Sequence, residues 1–370
     1  MEENKNPEIA NKHDITCKNC AGKLEFKPGT KSLECPYCGT LNEIIIDKEK
    51  IREALREIDY VKFISDANNV ETPKEESKYV KCQACGAETS VDAKMISSEC
   101  PFCGTPLVLE KSQMKSLVTP AALAPFKIEQ KVAIESFHKW MKKLWFLPNK
   151  TKEYAKPQKM QGIYTPYWTY DSNTTTHYSG QRGDDYQVTE TYTDSSGQTQ
   201  TRSVTKTRWT SVSGTVYVTF DDVLVVGSNS LPQKHVYSLQ PWILNELIPY
   251  DKKFLSGFKS ESYEVDVKNG FEKAKTIMDK DIVNAVNRNI GGDHQRITSK
   301  NVNYNNTTFK HILLPIWLSS YRFKDKVYRF VVNGQTGKVK GERPVSAMKI
   351  ILLVLLVIAI IVAIVLLTQN

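Results

Sequence analysis

The sequence lacks the short motifs that mark the commonest nucleotide-binding and hydrolytic sites. A Gly-x-x-x-x-Gly-Lys-Ser/Thr phosphate loop does not occur. The nearest approach, residues 334–338, has a shorter spacing and is followed by Val339, where a hydroxyl residue is needed. Neither His-Glu-x-x-His nor Gly-x-Ser-x-Gly is present. A nucleotide-driven motor is therefore excluded, and we expect no nucleotide to bind.

Histidine is also scarce, with six residues in a chain of 370. Asp293 and His294 are adjacent, but no third partner can be identified for them. Acid–base catalysis depends on a geometry that a sequence pair does not provide. We therefore expect no catalytic residues, and an enzyme with a pocket around His294 or His311 is only the third hypothesis.

Cysteine is confined to two clusters, and the rest of the chain has none. In each cluster a Cys-x-x-Cys pair is followed, after fourteen residues, by a second such pair. The clusters lie 65 positions apart, and their members are Cys17, Cys20, Cys35, Cys38, Cys82, Cys85, Cys100 and Cys103. The repeated spacing indicates a duplicated unit.

Paired Cys-x-x-Cys turns suit a tetrahedral zinc ion, because each turn brings two thiolates to one side of the metal. Gly39 and Gly104 follow the second turns and let the chain leave the metal. We predict two zinc ribbons, at 13–46 and 79–110, holding two structural Zn²⁺ ions with no open coordination position. A redox pair would not need a second pair at a fixed spacing, and secreted disulfides are disfavoured because no signal peptide is recognised before the cysteines. Iron in place of zinc stays open.

The chain has one long apolar run, at residues 350–367. As a helix it spans roughly 27 Å, close to the thickness of a bilayer's hydrocarbon core. Lys338, Lys340, Arg343 and Lys349 precede the run, and no charge follows it. The positive-inside rule then predicts a single-pass, tail-anchored membrane protein whose N-terminal part is cytoplasmic. A buried core helix is the alternative.

The net charge of +9 is unevenly distributed. Residues 1–120 contain 17 Lys and Arg against 20 Asp and Glu, so the ribbons are acidic. Affinity for nucleic acid depends largely on Lys and Arg neutralising phosphates. The ribbons are therefore poor candidates for phosphate binding, and the basic segment at 127–159 is the better one.

Between the ribbons, residues 47–78 predict a helical connector and linker, with Asp47 as the N-cap. Such a connector would let the ribbons swing relative to the rest of the chain. Residues 128–146 predict an amphipathic helix whose aromatic stripe packs inward, with contact to an anionic membrane surface as the alternative.

Residues 120–344 predict an α+β domain in which antiparallel sheet dominates. A long polar β-hairpin is expected near 185–209, with a turn at 194–197. A helix is expected at 265–289, ended by Gly291 and Gly292. Further strands are expected at 296–304, 312–323 and 327–332.

Several stretches together resemble a known group. They are the doubled cysteine clusters and residues 249–250, 254–258, 291–293, 314–317, 332–339 and 341–344. The chain resembles bacterial transcription factor IIB-type zinc-ribbon proteins, often labelled primosomal protein N′ (replication factor Y), superfamily II helicase. The helicase activity is not carried over, because the ATP-binding loop is missing. The architecture is also similar to membrane-anchored zinc-ribbon proteins of phage-shock-like stress systems.

The second resemblance implies that the protein helps to recruit a partner to the membrane. Our leading hypothesis is accordingly a non-enzymatic, tail-anchored adaptor whose ribbons bind another protein at the cytoplasmic face. The alternative is a replication-associated nucleic-acid-binding protein without a motor of its own, with the lysines of 127–159 on phosphates.

Overall fold

The computed structural model describes residues 15–65, 74–84, 87–90, 99–100, 102, 105–108, 112–154, 157, 160–193, 195–323 and 326–369. The predicted α+β class is confirmed. The strands are β1 (Glu25–Phe26), β2 (Ser32–Glu34), β3 (Leu41–Glu43), β4 (Ile58–Asp59), β5 (Lys74–Lys81), β6 (Glu88–Ser90), β7 (Gln113–Val118), β8 (Ala122–Leu123), β9 (Gln161–Thr193), β10 (Thr199–Val226), β11 (Ile248–Pro249), β12 (Lys259–Ser260), β13 (His294–Phe323), β14 (Lys326–Asn333) and β15 (Val339–Gly341). The helices are α1 (Lys48–Ala54), α2 (Tyr60–Ser65), α3 (Gln130–Lys143), α4 (Asn149–Tyr154), α5 (Gln233–Tyr237), α6 (Val267–Ile290) and α7 (Ala347–Gln369).

One sheet organises the molecule, with the strand order β10-β9-β13-β14-β15 and antiparallel neighbours throughout this path. Two small antiparallel sheets stand beside it. The sheet β1-β2-β3 belongs to the first cysteine segment, residues 15–46, and β6-β5-β7 belongs to the second, residues 74–118. At about 3.3 Å per residue, the 33 residues of β9 extend for about 110 Å. The main sheet is therefore far longer than a typical globular domain is wide.

Burial changes along β9 because its neighbours change. Residues 162–170 are buried on both faces, the next ten alternate between buried and less buried, and residues beyond Gly183 are mostly exposed. The alternating part lies against α6, whose buried stripe includes Phe271 and Met278. Trp168 and Tyr170 of β9 donate hydrogen bonds to the carbonyls of Val265 and Val267, at 2.7 Å each. These bonds fix the start of α6 on the sheet.

Helix α6 agrees with its sequence pattern. Asp266 caps its first turn by accepting a hydrogen bond from the Asn269 amide at 2.7 Å. Gly291 ends it with a φ of 69°, a backbone conformation that glycine adopts without the Cβ clash of other residues. The helix is shifted by only one or two residues from the predicted 265–289.

The polar hairpin extends beyond the sheet as a two-stranded arm. The outermost pair between β13 and β9 is His294 with Gly183. Strand β10 pairs with β9 further out, as far as Thr199 with Thr193. Gly197 lies in the connecting turn at a φ of 81°. We define the polar arm as residues 184–193 with 195–208. The two strands of the predicted hairpin are the outer ends of β9 and β10, which continue into the main sheet.

The connector predicted at 47–78 is interrupted and packed, which corrects the expectation of a helical linker. Asp47 does cap α1, accepting from the Glu49 amide at 2.9 Å. The chain then forms β4, which pairs with β13, and α2, whose Phe63 ring lies 5.0 Å from that of Phe309. Strand β5 already begins at Lys74, and residues 66–73 lie outside the described part of the chain. Apolar contacts with the main sheet outweigh the helical pattern here.

Helix α3 packs its predicted aromatic stripe inward. Phe137 is fully buried and stacks on Phe330 of β14 with ring centroids 4.0 Å apart, and Met141 is also buried. Trp145, two residues beyond the helix, is in contrast 70% exposed. The inward packing favoured from the sequence is confirmed for the helix itself.

Helix α7 contains the predicted apolar run. Within its residues 347–368, an 18-residue window has a mean hydropathy of 3.9, and none of that window is buried against the rest of the described chain. The helix is therefore long enough and apolar enough to span a membrane.

Candidate metal centre and ribbon cleft

The first cysteine segment folds into two matching turns. The amide of Cys17 donates to the Gly22 carbonyl at 2.7 Å, and the amide of Cys35 donates to the Thr40 carbonyl at 3.0 Å. In each turn the cysteine donates to the carbonyl five residues ahead, so the two pairs face each other with the same local geometry. Gly39 has a φ of 71°, which explains why glycine follows the second pair.

These turns bring four sulfur atoms together. The Sγ atoms of Cys17, Cys20, Cys35 and Cys38 all lie within 4.8 Å of one another. The Cys17–Cys38 separation is 3.6 Å and the Cys20–Cys35 separation is 3.4 Å. Tetrahedral zinc with bonds of about 2.3 Å requires sulfurs about 3.8 Å apart. The cluster therefore could hold one metal ion after only small adjustments.

Hydrogen bonds already favour thiolates at two of these positions. The backbone amides of Cys20 and Asn19 lower the pKa of Cys17. The Thr40 hydroxyl and amide lower the pKa of Cys38 to about 6. At Cys20 the Gly22 amide has a lowering effect, but the thiols of Cys35 and Cys38 outweigh it and raise the pKa to about 12. A bound cation would remove that remaining proton, because it stabilises thiolates.

The second cysteine segment repeats the backbone pattern where the structure describes it. The Cys82 amide donates to the Ala87 carbonyl and the Cys100 amide to the Thr105 carbonyl, at 2.8 Å each. These bonds have the same five-residue offset as those of the first segment. Cys82 and Cys100 are buried like their counterparts Cys17 and Cys35. Cys85 and Cys103 lie outside the described residues.

The first cysteine segment is docked on the domain and does not hang from a flexible connector. Phe26 of β1 is 3% exposed, and its ring lies 5.0 Å from that of Phe254. The Phe26 amide donates to the Ser256 carbonyl at 2.9 Å, and the Ser256 hydroxyl donates to the Leu24 carbonyl at 2.6 Å. The swinging that the sequence predicts for this segment would break these contacts.

The second cysteine segment contacts the same side of the domain. Lys259 donates to the Glu99 carbonyl at 2.9 Å, and Ser262 donates to Glu88 at 3.1 Å. Thr89 forms a β-bridge with Glu261, a carboxyl group buried beside Ser228. Burial raises the pKa of Glu261 to about 8, so this carboxyl is largely protonated at neutral pH.

A cleft opens where both cysteine segments meet the domain, and we call it the ribbon cleft. Its volume is about 810 Å³. Phe26, Phe258 and Trp317 provide an aromatic wall, with the rings of Phe258 and Trp317 5.8 Å apart. A Cβ at Gly162 would overlap the Phe258 ring, so glycine is what lets that ring lie against β9.

The rim of the ribbon cleft is acidic. Three exposed glutamates line it: Glu25, Glu99 and Glu129. The ammonium group of Lys259 donates a hydrogen bond to the Glu99 carbonyl. Aromatic rings under a carboxylate rim suit a ligand that combines an apolar group with a positive charge.

One charged cluster was not identified from the sequence. Lys310 of β13 is 7% exposed, and its ammonium lies 3.1 Å from both Glu57 and Asp222. Burial and the hydrogen bond with Glu57 raise the pKa of nearby Asp171 to about 7. Asp171 and Asp222 also lie close to Asp221. Lys310 supplies a positive charge among these carboxylates.

The two histidines singled out from the sequence lie apart. His294 is exposed, and its Nε2 lies 3.1 Å from Asp185, not beside its neighbour Asp293. His311 is buried, and its Nδ1 lies 2.8 Å from the Val118 carbonyl. Burial lowers the pKa of His311 to about 4, so this ring is neutral at physiological pH. Neither ring lines the ribbon cleft.

Comparison with known proteins gives a distant similarity that extends over most of the chain. The chain is 25% identical over 336 residues to YdjG of Bacillus subtilis (strain 168), a protein described as uncharacterised. The aligned part covers 90% of this chain and 91% of YdjG, so the similarity is not confined to one module. No family model and no solved structure matches the chain.

Proposed function

We propose that this protein is a zinc-ribbon adaptor, anchored in a membrane by α7, that holds a protein partner in the ribbon cleft. The observation that carries the proposal is the position of the cleft, which is bordered by both cysteine segments and by the main sheet. Metal-bound ribbons in such a place act as rigid walls of a binding site.

Two zinc ions keep the ribbons folded. The sulfur separations in the first cluster support the first ion. The repeated spacing, with the matching hydrogen bonds of Cys82 and Cys100, supports the second. Four thiolates around each ion leave no position for water or substrate, so the metals stabilise structure and take no part in catalysis.

The adaptor faces the cytoplasm. Lys338, Lys340, Arg343 and Lys349 lie on the side of α7 that carries the rest of the protein, as the positive-inside rule requires for a cytoplasmic segment. Reduced, metal-binding cysteines fit the same compartment.

The partner presents a segment with a positively charged residue beside an apolar one. Glu25 and Glu129 attract the charge, and the wall around Phe258 receives the apolar side chain. Nucleic acid matches this surface poorly, because its phosphates would meet carboxylates. On the polar arm, Arg202 and Lys206 both pair with Glu190.

The test is a pull-down of the full-length protein from native membranes after chemical crosslinking, with nuclease treatment. The variant is Glu25→Lys, on β1 in the cleft, and its matched control is Glu43→Lys, an exposed glutamate on β3 of the same small sheet outside it. We expect a nuclease-resistant protein partner with the wild type and the control, and its loss with Glu25→Lys. Equal recovery with both variants, or capture of nucleic acid that nuclease removes, would contradict the proposal.

A further inference from the structure

The segment between α3 and α4 is fixed to the first turn of α7. Lys349 donates from its ammonium group to the carbonyls of Trp145 and Leu147, at 3.0 and 2.9 Å, and to the Asn149 side chain at 2.8 Å. The Ser346 amide donates to the Phe146 carbonyl at 2.8 Å. Four hydrogen bonds thus hold residues 145–149 beside the point where α7 begins.

This connection sets the depth of the segment relative to a bilayer. The apolar run of α7 starts at residue 350, immediately after Lys349. A lysine at that position is at the edge of the hydrocarbon core, with its ammonium directed toward the headgroups. The headgroup layer is about 5–8 Å thick on each side. Groups bonded to that ammonium therefore lie within the layer.

The side chain best placed to enter the layer is Trp145. It is 70% exposed, and its ring stacks on Phe146 with centroids 6.1 Å apart. The next residue but one, Leu147, is 1% exposed and belongs to the same core as Phe137. Leu147 therefore holds the segment in the domain while Trp145 points away from it. Tryptophan is the residue that membrane interfaces favour most strongly.

Exposed lysines close to Trp145 in the sequence fit anionic headgroups. Lys139 and Lys143 near the end of α3, and Lys150 in α4, are exposed. Lys349 is already engaged by three protein oxygens, so these lysines are the groups that would meet lipid phosphates. Basic residues at a membrane surface favour anionic lipid over zwitterionic lipid.

We propose that residues 144–150 form an interfacial membrane-binding segment that places Trp145 among the headgroups of anionic phospholipids, with the surrounding lysines on their phosphates. The proposal rests on the membrane anchoring that is part of the proposed function. It is independent of which partner occupies the ribbon cleft. The segment fixes the orientation of the domain on the bilayer, which a single helix leaves free.

The test uses the full-length protein in vesicles of phosphatidylcholine, alone or mixed with phosphatidylglycerol, with acyl chains brominated next to the headgroups. The chain has six tryptophans, of which Trp168, Trp242 and Trp317 are buried. We expect brominated lipid to quench wild-type emission, and Trp145→Phe to lose most of the quenched component. Trp209→Phe, on the strand that leads into the polar arm, is the control and keeps it.

A second pair of measurements tests the lysines. We expect added phosphatidylglycerol to increase quenching in the wild type, and the Lys139→Gln/Lys143→Gln variant to lose lipid preference by about fivefold per lysine. Flotation with the vesicles is measured first. A chain that does not float refutes the membrane anchor and the inference together. If the chain floats but Trp145→Phe leaves quenching unchanged, the inference alone is refuted. Coverage of Trp145 by a protein would give this same result.

Discussion

Replacing Phe26 by alanine should release the first cysteine segment from the domain without lowering the zinc content that we propose for it. The Phe26 ring is 3% exposed and contacts Phe254 and Phe258. Truncating a buried phenylalanine to alanine costs about 3–5 kcal/mol. Three hydrogen bonds join this ribbon to the domain, from Phe26, Ser256 and Gly29, and each contributes about 1 kcal/mol. The ring therefore contributes as much to docking as the three bonds together.

The assay is hydrogen–deuterium exchange of the full-length protein in detergent, read at the amides of Phe26 and Gly29. Both amides donate across the ribbon–domain contact, so their protection reports docking. A loss of 3–5 kcal/mol should speed their exchange on the order of 10²–10⁴-fold. Zinc content should stay unchanged, because the variant leaves all four ligands of the first cluster in place.

The control is Leu41→Ala, on β3 of the same small sheet, whose side chain is 55% exposed. This change should leave exchange at Phe26 and Gly29 as in the wild type. Unchanged protection in Phe26→Ala would refute the reasoning, because the ribbon would then be held by something other than its aromatic contact.

Two further changes test the packing of the domain. Glu261→Gln should stabilise the protein at about pH 9 more than at about pH 6. Between pH 4.5, the ordinary pKa of a glutamate, and about pH 8, the folded protein keeps a proton on Glu261 that the unfolded chain has lost. Wild-type stability therefore falls as pH rises through that window, by at most about 1.4 kcal/mol per pH unit. Thermal midpoints measure this, and parallel pH profiles for the two proteins would count against it. Gly270→Ala should destabilise the protein by up to about 2 kcal/mol, because the added Cβ would overlap the hydroxyl of buried Tyr170, and the overpacking cost of about 1–3 kcal/mol exceeds the helix-propensity gain of about 1 kcal/mol. Lys268→Ala, exposed on the same helix, is the control in a denaturation series, and a Gly270→Ala variant as stable as the wild type would show that Tyr170 can move.

The parts of the structure that follow from local pattern could be predicted. Two Cys-x-x-Cys pairs at a fixed spacing indicate a metal turn, and four of the eight sulfurs are seen in one cluster. The apolar run at 350–367 lies within α7, and α6 follows its helical stripe and ends at Gly291. In each case residues close in sequence carry the whole signal.

The length of β13 could not be predicted from local pattern. The pattern predicts two separate strands, at 296–304 and 312–323, and the gap between them begins with two asparagines, which are unfavourable in strands. Pairing with β9 overrides this preference, and the irregularity remains only as a register shift between Asn305 and Thr308 with Asn306 at a φ of 50°.

Contacts between segments distant in the chain could not be predicted from the sequence either. Glu57 and Lys310 are separated by 253 positions, and the ribbon contact between Leu24 and Ser256 by 232. A charged side chain in a strand pattern does not reveal which partner will bury with it. The ribbon cleft depends on such long-range contacts and therefore emerges only in the folded protein.

The most direct test of the account is the metal content of the purified full-length protein. Two structural ions should give two zinc atoms per chain, falling to one in Cys17→Ser and to one in Cys82→Ser, because each variant removes one ligand of a four-thiolate site. Peptides around the mutated ligand should lose exchange protection at the same time. Two zinc atoms retained in Cys82→Ser, or iron in place of zinc in the wild type, would contradict the claim that a pair of zinc ribbons forms the walls of the cleft.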